Sequence, residues 1–544
     1  MPSLANHVDL EKDIRLGTAR TQSGSEDTST KSSGDHTDML SFDVSHKEIE
    51  SHRLKMRGRK LTRLLAFVAG TGFTLIGYDQ GVLSTLLTAQ QFVKTFPTTS
   101  SITGPSNHAT LQSLLVAIYE IGCLIGALSN TSTVPAYHAE CAAPEKRGRL
   151  IMIGGSLITF GIMVSFFLKT SSVQWRTPIA LQIVFALVMI FGIGFLPDSP
   201  RWLVNQGCYA EAIAVISALE DKPHTHPDVQ RTFLAIREAA LAENTASGDI
   251  KPNKLQLGEL LHGGRSQNFR RATLGVAVQA FQQITGINLI TYYGTLLFER
   301  LGIDGLKSRT LAACNGKYRE INPDSLMANL LCLGTEYFLA GLIAIWLVER
   351  VGRRKLMLFG ATGQCITMVL LAVLGSIAKP ATDIVSAVLL FVFNSFFAVG
   401  WLGTGWLYPA EITPLRIRQP ANALSTASNW TFNFVVAMII GPAFQNIGYN
   451  TYTVFACLNA FIVPMVYFFF PETAGKSLED MDVVFAQAYN EGVSPVTVSL
   501  RKDLPPAGSA EADEILGFGL RKRRDGTPQT LNTEAARPTH GKQC

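Results

Sequence analysis

Ten stretches of predominantly apolar residues, each long enough to cross a lipid bilayer, dominate this sequence. The hydrocarbon core of a bilayer is about 30 Å thick, and a helix needs about 20 such residues to cross it. Charged residues make up only 16% of the chain, against about 25% in soluble domains. The predicted spans are residues 64–87, 111–128, 150–168, 178–196, 272–298, 326–348, 356–378, 384–407, 423–444 and 452–470. The sequence therefore predicts an all-α polytopic membrane protein.

Clusters of Lys and Arg in the connections between spans indicate their orientation, because cytoplasmic loops carry an excess of these residues. The clusters at 53–60, 146–149, 350–355 and 416–418 all fall on one side if both termini are cytoplasmic. This topology divides the chain into a disordered cytoplasmic tail (1–60), a first bundle (61–196), a cytoplasmic linker with short helices (197–271), a second bundle (272–471) and a cytoplasmic C-terminal tail (472–544).

An internal repeat relates the two predicted bundles. Its copies are Tyr137-x-x-Glu140-x6-Arg147 and Tyr408-x-x-Glu411-x6-Arg418. Transporters are often built from two such related halves. The first half holds four predicted spans where the second holds six, so we expect two pseudo-symmetric bundles of which the first lacks about two helices.

Five ordered motifs between residues 60 and 485 resemble those of the sugar porter family of the major facilitator superfamily. They are Gly77-Tyr78-Asp79-Gln80-Gly81, Pro197-Asp198-Ser199-Pro200-Arg201, Gln282-Gln283-x-x-Gly286-x-Asn288, Glu349-Arg350-x-Gly352-Arg353-Arg354 and Pro471-Glu472-Thr473-x-Gly475. The chain looks most like the fungal subgroup of hexose, xylose and glycerol proton symporters. The resemblance implies the major facilitator fold, alternating access, a sugar or polyol substrate, proton coupling and the plasma membrane, and we expect a monomer.

The chain departs from the family pattern at two places. The family's third helix and most of its fourth are absent at the junction of Leu128 and Ser129, and an insert occupies residues 317–334. We interpret both as errors of gene structure or splicing. A first bundle of four helices would leave Glu120, Gly122 and Gly126 against lipid, which predicts poor expression or retention in the endoplasmic reticulum.

Three neutral amides predict the substrate site, because a sugar is bound by groups that replace its water shell. Gln282 and Asn288 would point about 120° apart on a straight helix, so their convergence requires a distortion, to which Gly286 is suited. The third amide is Gln283, and Tyr292 lies one turn past Asn288. By resemblance, Trp406, Asn429 and Trp430 complete the site. The alternative is that these amides only bind neighbouring helices.

Asp79 is the candidate for proton coupling, because an ionisable group inside a span is expensive and commonly functional. The alternative is a carboxylate paired for packing near the interface. Its family partner would be the Arg that opens the fourth helix, which this chain lacks. Glu120, in the second span, is expected to be structural.

A set of charged residues at the cytoplasmic ends of the spans resembles the family's gate of ion pairs. In the second half the set comprises Glu349, Arg353, Arg354, Glu411 and Arg418, and in the first half Glu140 and Arg147 remain. The alternative is that the arginines only set topology. The subgroup usually has a Glu at position 154, where this chain has Gly154.

The sequence disfavours other classes of protein. Lys and Arg (47) nearly balance Asp and Glu (42), and no basic run typical of nucleic-acid binding occurs. No HExxH, phosphate loop or Cys/His spacing is found, so we expect no enzyme, no metal and no cofactor. A non-transporting nutrient sensor and a non-functional truncated gene product remain as alternatives.

Overall fold

The described part of the chain is helical throughout, without strands. The computed structural model describes residues 46–87, 90–99, 104–129, 147–167, 176–245, 257–261, 263–300, 333–377, 379–414, 417–507 and 509–516. Leu128 and Ser129, the predicted junction, end a described helix, and residues 130–146 after them lie outside the described residues. Of the insert at 317–334, only Leu333 and Gly334 are described. The predicted all-α fold class is confirmed.

The first half of the chain supplies four long helices and then a set of shorter ones. The helices are α1 (His46–Ser51), α2 (Gly58–Leu87), α3 (Gln90–Thr95), α4 (His108–Ser129), α5 (Arg147–Phe167), α6 (Arg176–Ile193), α7 (Pro200–Gln206), α8 (Tyr209–Glu220), α9 (Pro227–Thr245) and α10 (Leu257–Leu260). The amphipathic pieces that the sequence indicates in the linker therefore coincide with α8 and α9. Two helices, α1 and the start of α2, lie within the segment 1–60.

The second half continues with the remaining helices. They are α11 (Asn268–Ile284), α12 (Ile287–Arg300), α13 (Leu333–Val351), α14 (Arg353–Ile377), α15 (Pro380–Phe397), a π-helical turn (Ala398–Leu402), α16 (Thr404–Ile412), α17 (Arg418–Asn446), α18 (Asn450–Phe469), α19 (Leu478–Glu491), α20 (Pro495–Ser499) and α21 (Ala510–Leu516).

Seven helical segments among the described residues are long and apolar enough to cross a membrane. They are α2, α4, α6, α14, α15 with α16, α17 and α18. Three of the ten predicted spans do not qualify on length or charge: the apolar part of α5 is short, the span at 272–298 is broken between α11 and α12, and α13 carries three charged residues. The chain is a multi-pass membrane protein.

Glycines bring helices of each bundle into backbone contact. A Cβ at Gly77 of α2 would lie 1.8 Å from the carbonyl oxygen of Ile158 in α5, and one at Gly161 would lie 2.0 Å from that of Thr74. In the second bundle a Cβ at Gly400 would lie 2.6 Å from the Cα of Gly360. Small residues at such crossings let membrane helices pack closely without a hydrophobic driving force.

Two helices of the first half pack against the second half. α4 lies along α17, where a Cβ at Gly441 would lie 2.3 Å from Ser113 Oγ. α5 lies along α13, where Gly341 approaches Ser156. These two contacts create the boundary between bundles at which the polar side chains described below meet.

Candidate functional site

The helix that carries the predicted amides is broken where the sequence requires it. Gly286 has a φ of 95°, which separates α11 from α12. A Cβ there would lie 2.8 Å from Phe455 Cδ1, so both the backbone conformation and the space favour glycine. Asn459 Nδ2 donates to the carbonyl oxygen of Thr285 at 2.8 Å, satisfying a group that the break leaves without a helical partner. The expected distortion at Gly286 is confirmed.

One network of buried amides joins α11 to α17 and to the π-helical turn. Asn429 Nδ2 donates to Gln282 Oε1 at 2.9 Å and to Gln279 Oε1 at 2.7 Å. Gln282 Nε2 donates to the carbonyl oxygens of Trp401 (2.9 Å) and Leu402 (3.3 Å). Such π-turns are frequent at functional sites. The structure thus brings the predicted Gln282 and Asn429 together.

A second network runs from the break towards the first bundle. Asn288 Nδ2 donates to Gln283 Oε1 at 2.9 Å and to Asn433 Oδ1 at 2.7 Å. Asn433 Nδ2 donates to Tyr292 Oη at 3.2 Å, and Tyr292 donates to Glu120 Oε1 at 2.5 Å. Three predicted residues, Gln283, Asn288 and Tyr292, therefore share one hydrogen-bonded chain.

This second network crosses the boundary between the bundles. Tyr119 of α4 lies 3.0 Å, oxygen to oxygen, from Tyr292, and its ring packs edge-on against the predicted Trp430 with 6.4 Å between centroids. Glu120 has an exposed fraction of 0%, and its Oε2 has no hydrogen-bond partner among the described residues. The expectation that Glu120 faces lipid is wrong, because α4 turns this carboxylate towards α12. Gly122, on another face of α4, is exposed.

Trp406 packs against apolar residues, although its neighbour Gly405 lies against Gln282 of the first network. The Trp406 side chain packs, half-buried, against a cluster at the arginine-rich end of the bundles, formed by Ile151, Met152, Ala344, Val348, Leu356 and Leu407. Trp401, five residues earlier, is fully buried beside Gln282, and its indole Nε1 has no hydrogen-bond partner among the described residues.

Sequence reasoning missed Gln279, Asn433 and the cross-bundle role of Glu120. Helical spacing held a signal for the two amides, because residues three and four apart share one helix face. Gln279 precedes Gln282 by three positions, and Asn433 follows Asn429 by four. The partner of Glu120 had no such signal, since Tyr292 lies on a distant helix.

Asp79 lies in α2 between Gly77 and Gly81, and a Cβ at Gly81 would lie 2.1 Å from Ser165 Oγ of α5. Asp79 Oδ1 is buried without a hydrogen-bond partner among the described residues, and Gln182 of α6 hydrogen-bonds to the carboxylate. The neighbouring Tyr78 donates to the carbonyl oxygen of Pro178 at 2.7 Å. Asp79 is thus held by α6 and not by the two amide networks.

A buried ion pair closes the arginine-rich end of the second bundle. Arg353 Nη2 lies 2.8 Å from Glu411 Oε1, with side-chain exposures of 5% and 16%. Arg353 Nη1 lies 3.5 Å from Glu349 Oε2, and Thr473 Oγ1 donates to Glu411 Oε2 at 2.6 Å. We call Glu349, Arg353 and Glu411 the latch.

The other predicted gate residues lie elsewhere or outside the described side chains. Arg354 donates to the carbonyl oxygen of Tyr467 at 2.6 Å, and Arg418 Nη2 donates to that of Thr413 at 3.2 Å. Glu140 lies outside the described residues, and Arg147 is described only as the first residue of α5. At Gly154 a Cβ would lie 2.9 Å from the Phe73 ring, so a larger side chain would displace that ring.

Apart from Glu120, the side chains that form the two networks are uncharged. Their amides and hydroxyls can donate to and accept from hydroxyl groups, and the rings of Tyr119 and Trp430 offer apolar faces. No group of three or more His, Cys, Asp or Glu among the described residues could hold a metal ion.

Comparison with known proteins points to one family. The profile described as "Sugar (and other) transporter" matches residues 65–132 and 129–485. The sugar transporter STL1 of Saccharomyces cerevisiae is 32% identical over 523 residues, covering 84% of this chain and 87% of STL1. The high glucose sensor RGT2 of the same organism is 28% identical over 404 residues, covering 71% and 49%.

Among solved structures, the major facilitator superfamily proton:xylose symporter XylE, bound to 6-bromo-6-deoxy-D-glucose, has the same fold. The TM-score is 0.61 at 20% sequence identity, and the match covers 78% of this chain and 99% of XylE.

Proposed function

The chain belongs to the sugar transporter family of the major facilitator superfamily, and from this premise we propose that it moves a sugar or polyol by alternating access, coupled to protons. One observation carries the proposal. Buried amides and tyrosines of the second bundle form a hydrogen-bonded chain that ends on the first bundle, at Glu120 and Tyr119. A solute bound at such a boundary touches both moving parts.

Substrate binding would replace protein–protein hydrogen bonds of these networks by bonds to hydroxyl groups. Gln282, Gln283, Asn288, Tyr292, Asn429 and Trp430 are the proposed binding residues, to which the structure adds Gln279, Asn433 and Tyr119. Trp406 would act from the neighbouring apolar cluster and not by direct contact with the amides.

The latch would control opening of the arginine-rich end. Two bundles that alternate between states need an element with two arrangements, and the ion pair of Arg353 with Glu411 would hold one of them. Arg354, Arg418, Glu140 and Arg147 remain proposed members of the same gate. This end, with both termini, would face the cytoplasm, and we propose the plasma membrane as the location and the monomer as the unit.

Two buried carboxylates could carry the coupled proton. Asp79 is the one that the family resemblance implies, but it is held by Gln182. Glu120 bonds directly to Tyr292 in the binding network. Protonation of Glu120 would turn an acceptor into a donor towards that network, so it is the alternative carrier.

Uptake of labelled glycerol, xylose or glucose by yeast cells that lack their own porters tests the proposal. We expect saturable uptake that rises at acidic pH and makes the medium more alkaline. Asp79→Asn and Glu120→Gln each remove one ionisable group, and the variant that loses acid stimulation while it retains uptake identifies the carrier. Uptake that ignores pH in the wild type would contradict symport, and absence of uptake of every sugar or polyol by protein at the cell surface would contradict transport.

A non-transporting nutrient sensor is the second candidate, since a glucose sensor is among the similar proteins. In that case glucose would bind and change a transcriptional response without crossing the membrane. Binding of labelled glucose to the protein, with no accumulation of label inside the cell, would favour the sensor.

A further inference from the structure

A cavity of about 520 Å³ lies beside the latch, and the amide networks do not reach it. Three separate segments line it: the connection between α13 and α14 (350–355), the stretch 472–484 that leads into α19, and the stretch 499–506 after α20. Its walls therefore come both from the second bundle and from the chain that follows it.

The cavity is strongly basic. Among the described residues that line it are two carboxylates, Glu472 and Asp480, and six cationic side chains: Arg350, Arg354, Lys355, Lys476, Arg501 and Lys502. Convergent cations without matching anions create a field that attracts a negatively charged ligand.

Both carboxylates are committed to backbone N–H groups. Glu472 Oε1 accepts from Arg353 at 2.9 Å, from Thr473 at 3.0 Å and from Ala474 at 3.1 Å. Asp480 accepts from Ser477 at 2.8 Å and from Ala507 at 2.9 Å. These bonds fix the carboxylates at the backbone, so that, among the residues described, neither forms a salt bridge with a lysine of the cavity.

The salt bridges near the cavity also leave the lysines available. Those of the described residues are Arg353 with Glu411, Arg353 with Glu349, and Arg501 with Glu491. None of them includes Lys355, Lys476 or Lys502, so three ammonium groups border the cavity without a salt bridge in the described part of the chain.

Two arginines that line the cavity stack on exposed aromatic rings. The Arg350 guanidinium lies 3.8 Å from the centroid of the Trp346 ring, and that of Arg354 lies 5.0 Å from the Tyr467 ring. These rings are 58% and 54% exposed on the outer faces of α13 and α18. Exposed Trp and Tyr near the ends of spanning helices mark the membrane interface.

We propose that this basic cavity binds the phosphate monoester of an anionic lipid headgroup. Arginine forks match phosphate oxygens in pairs, and lysines add point charges around them. Free phosphates share this chemistry, but the interfacial position favours a ligand anchored in the bilayer. A bound headgroup would tie residues 499–506 to the connection that carries the latch, whatever solute is transported.

The test measures binding to the purified full-length chain in detergent. The probe is dioctanoyl phosphatidylinositol 4-phosphate, with dioctanoyl phosphatidylcholine and inositol 1,4-bisphosphate as separate arms. The variant is Lys476→Ala/Lys502→Ala, and the matched control is Lys60→Ala/Arg265→Ala, which removes the same charge from exposed positions outside the cavity. Lys355→Gln serves as a second variant if the double variant does not fold.

We expect the phosphoinositide to bind, and binding to weaken roughly thirtyfold in the double variant, since each interfacial lysine contributes about fivefold. The control should change less than twofold. Equal affinity for the soluble bisphosphate would overturn the lipid assignment. Equal weakening of phosphoinositide binding in the double variant and the control would show that the cavity is not the binding site. So would equal affinity for the phosphoinositide and for phosphatidylcholine. Sugar uptake does not enter this readout, so the result stands apart from the proposed function.

Discussion

The two bundles of the protein are stabilised by different kinds of contact. The second is tied together by buried amides, a backbone contact between Gly360 and Gly400 and the latch. In the first, α4 exposes one face at Gly122, where a Cβ would meet nothing within 4 Å, and Pro178 is the one fully buried residue of α6. Both bundles have close contacts at glycines, but the buried amide networks and the latch belong to the second bundle, and the first bundle supplies Glu120 and Tyr119, on which the binding network ends.

We expect the largest loss of stability when the latch is broken. Arg353→Ala leaves Glu411 buried without its cation, which costs about 3–5 kcal/mol. Arg147→Ala in the first half, at the position that corresponds to Arg418 in the repeat, should cost under about 1 kcal/mol, because that half lacks the Gly-Arg-Arg loop that carries the counterpart of Arg353. The free energy of unfolding in detergent measures both. Equal losses would mean that the first bundle has a complete latch of its own.

Close packing should give the next largest effect. Gly400→Val places a Cβ 2.6 Å from the Cα of Gly360, and such overpacking costs about 1–3 kcal/mol. We expect roughly a tenfold loss of monodisperse protein, read by size-exclusion chromatography of a fluorescent fusion. The matched variant Gly122→Val should leave the yield within about twofold. If its yield also collapses, the exposed face of α4 is covered in the membrane.

We expect residues of the second bundle to contribute more to substrate uptake than residues of the first. Gln282→Ala removes hydrogen bonds to Asn429 and to the π-helical turn, so we expect uptake to fall roughly tenfold to a hundredfold at about 1 kcal/mol per bond. Tyr119→Phe removes one hydroxyl of the first bundle and should cost about fivefold. Initial uptake rates, normalised to surface protein, compare them. A larger loss of uptake for Tyr119→Phe than for Gln282→Ala would show that the first bundle contributes more to uptake than the second.

We expect the smallest losses of stability from substitutions in the two segments that follow the bundles, the linker (197–271) and the C-terminal segment (472–544). Partial burial alone would raise the pKa of Asp480, but hydrogen bonds from Ala507 and Ser477 lower it below its usual value. The carboxylate therefore stabilises the fold above the unfolded pKa of about 3.9, and this contribution is lost as pH falls through the folded pKa.

Asp480→Ala removes the hydrogen bond that Asp480 accepts from the backbone N–H of the N-cap residue Ser477 and should cost about 1 kcal/mol at neutral pH, and the part of this loss that depends on charge should vanish in acid. Asp228→Asn, in the linker after the first bundle, removes an exposed pair with Lys222 and should leave the unfolding curve unchanged. Unfolding followed at pH 7 and pH 3 distinguishes the two. A pH-independent effect of Asp480→Ala would show that its charge contributes nothing.

Much of the site could be predicted from local pattern. The apolar stretches predicted the spanning helices, and the need for Gln282 and Asn288 to converge predicted the break at Gly286. The family motif predicted Glu349 and Arg353 as gate residues, and they lie 3.5 Å apart although a glycine with a φ of 97° at position 352 separates α13 from α14. The interpretation failed for Glu120, because the partner of a carboxylate on α4 depends on how one bundle docks on the other.

The sequence by itself determined that this chain is a helical membrane protein of the sugar transporter family, because hydrophobic length and ordered motifs are local properties of the chain. Only the tertiary structure decided that Glu120 accepts a hydrogen bond from Tyr292 and that Trp401, not Trp406, accepts one from Gln282 through its carbonyl oxygen. It also decided that Lys476, Lys502 and Arg350 line one cavity. Those contacts unite residues far apart in the chain, and their geometry is set by the packing of helices, which no local pattern encodes.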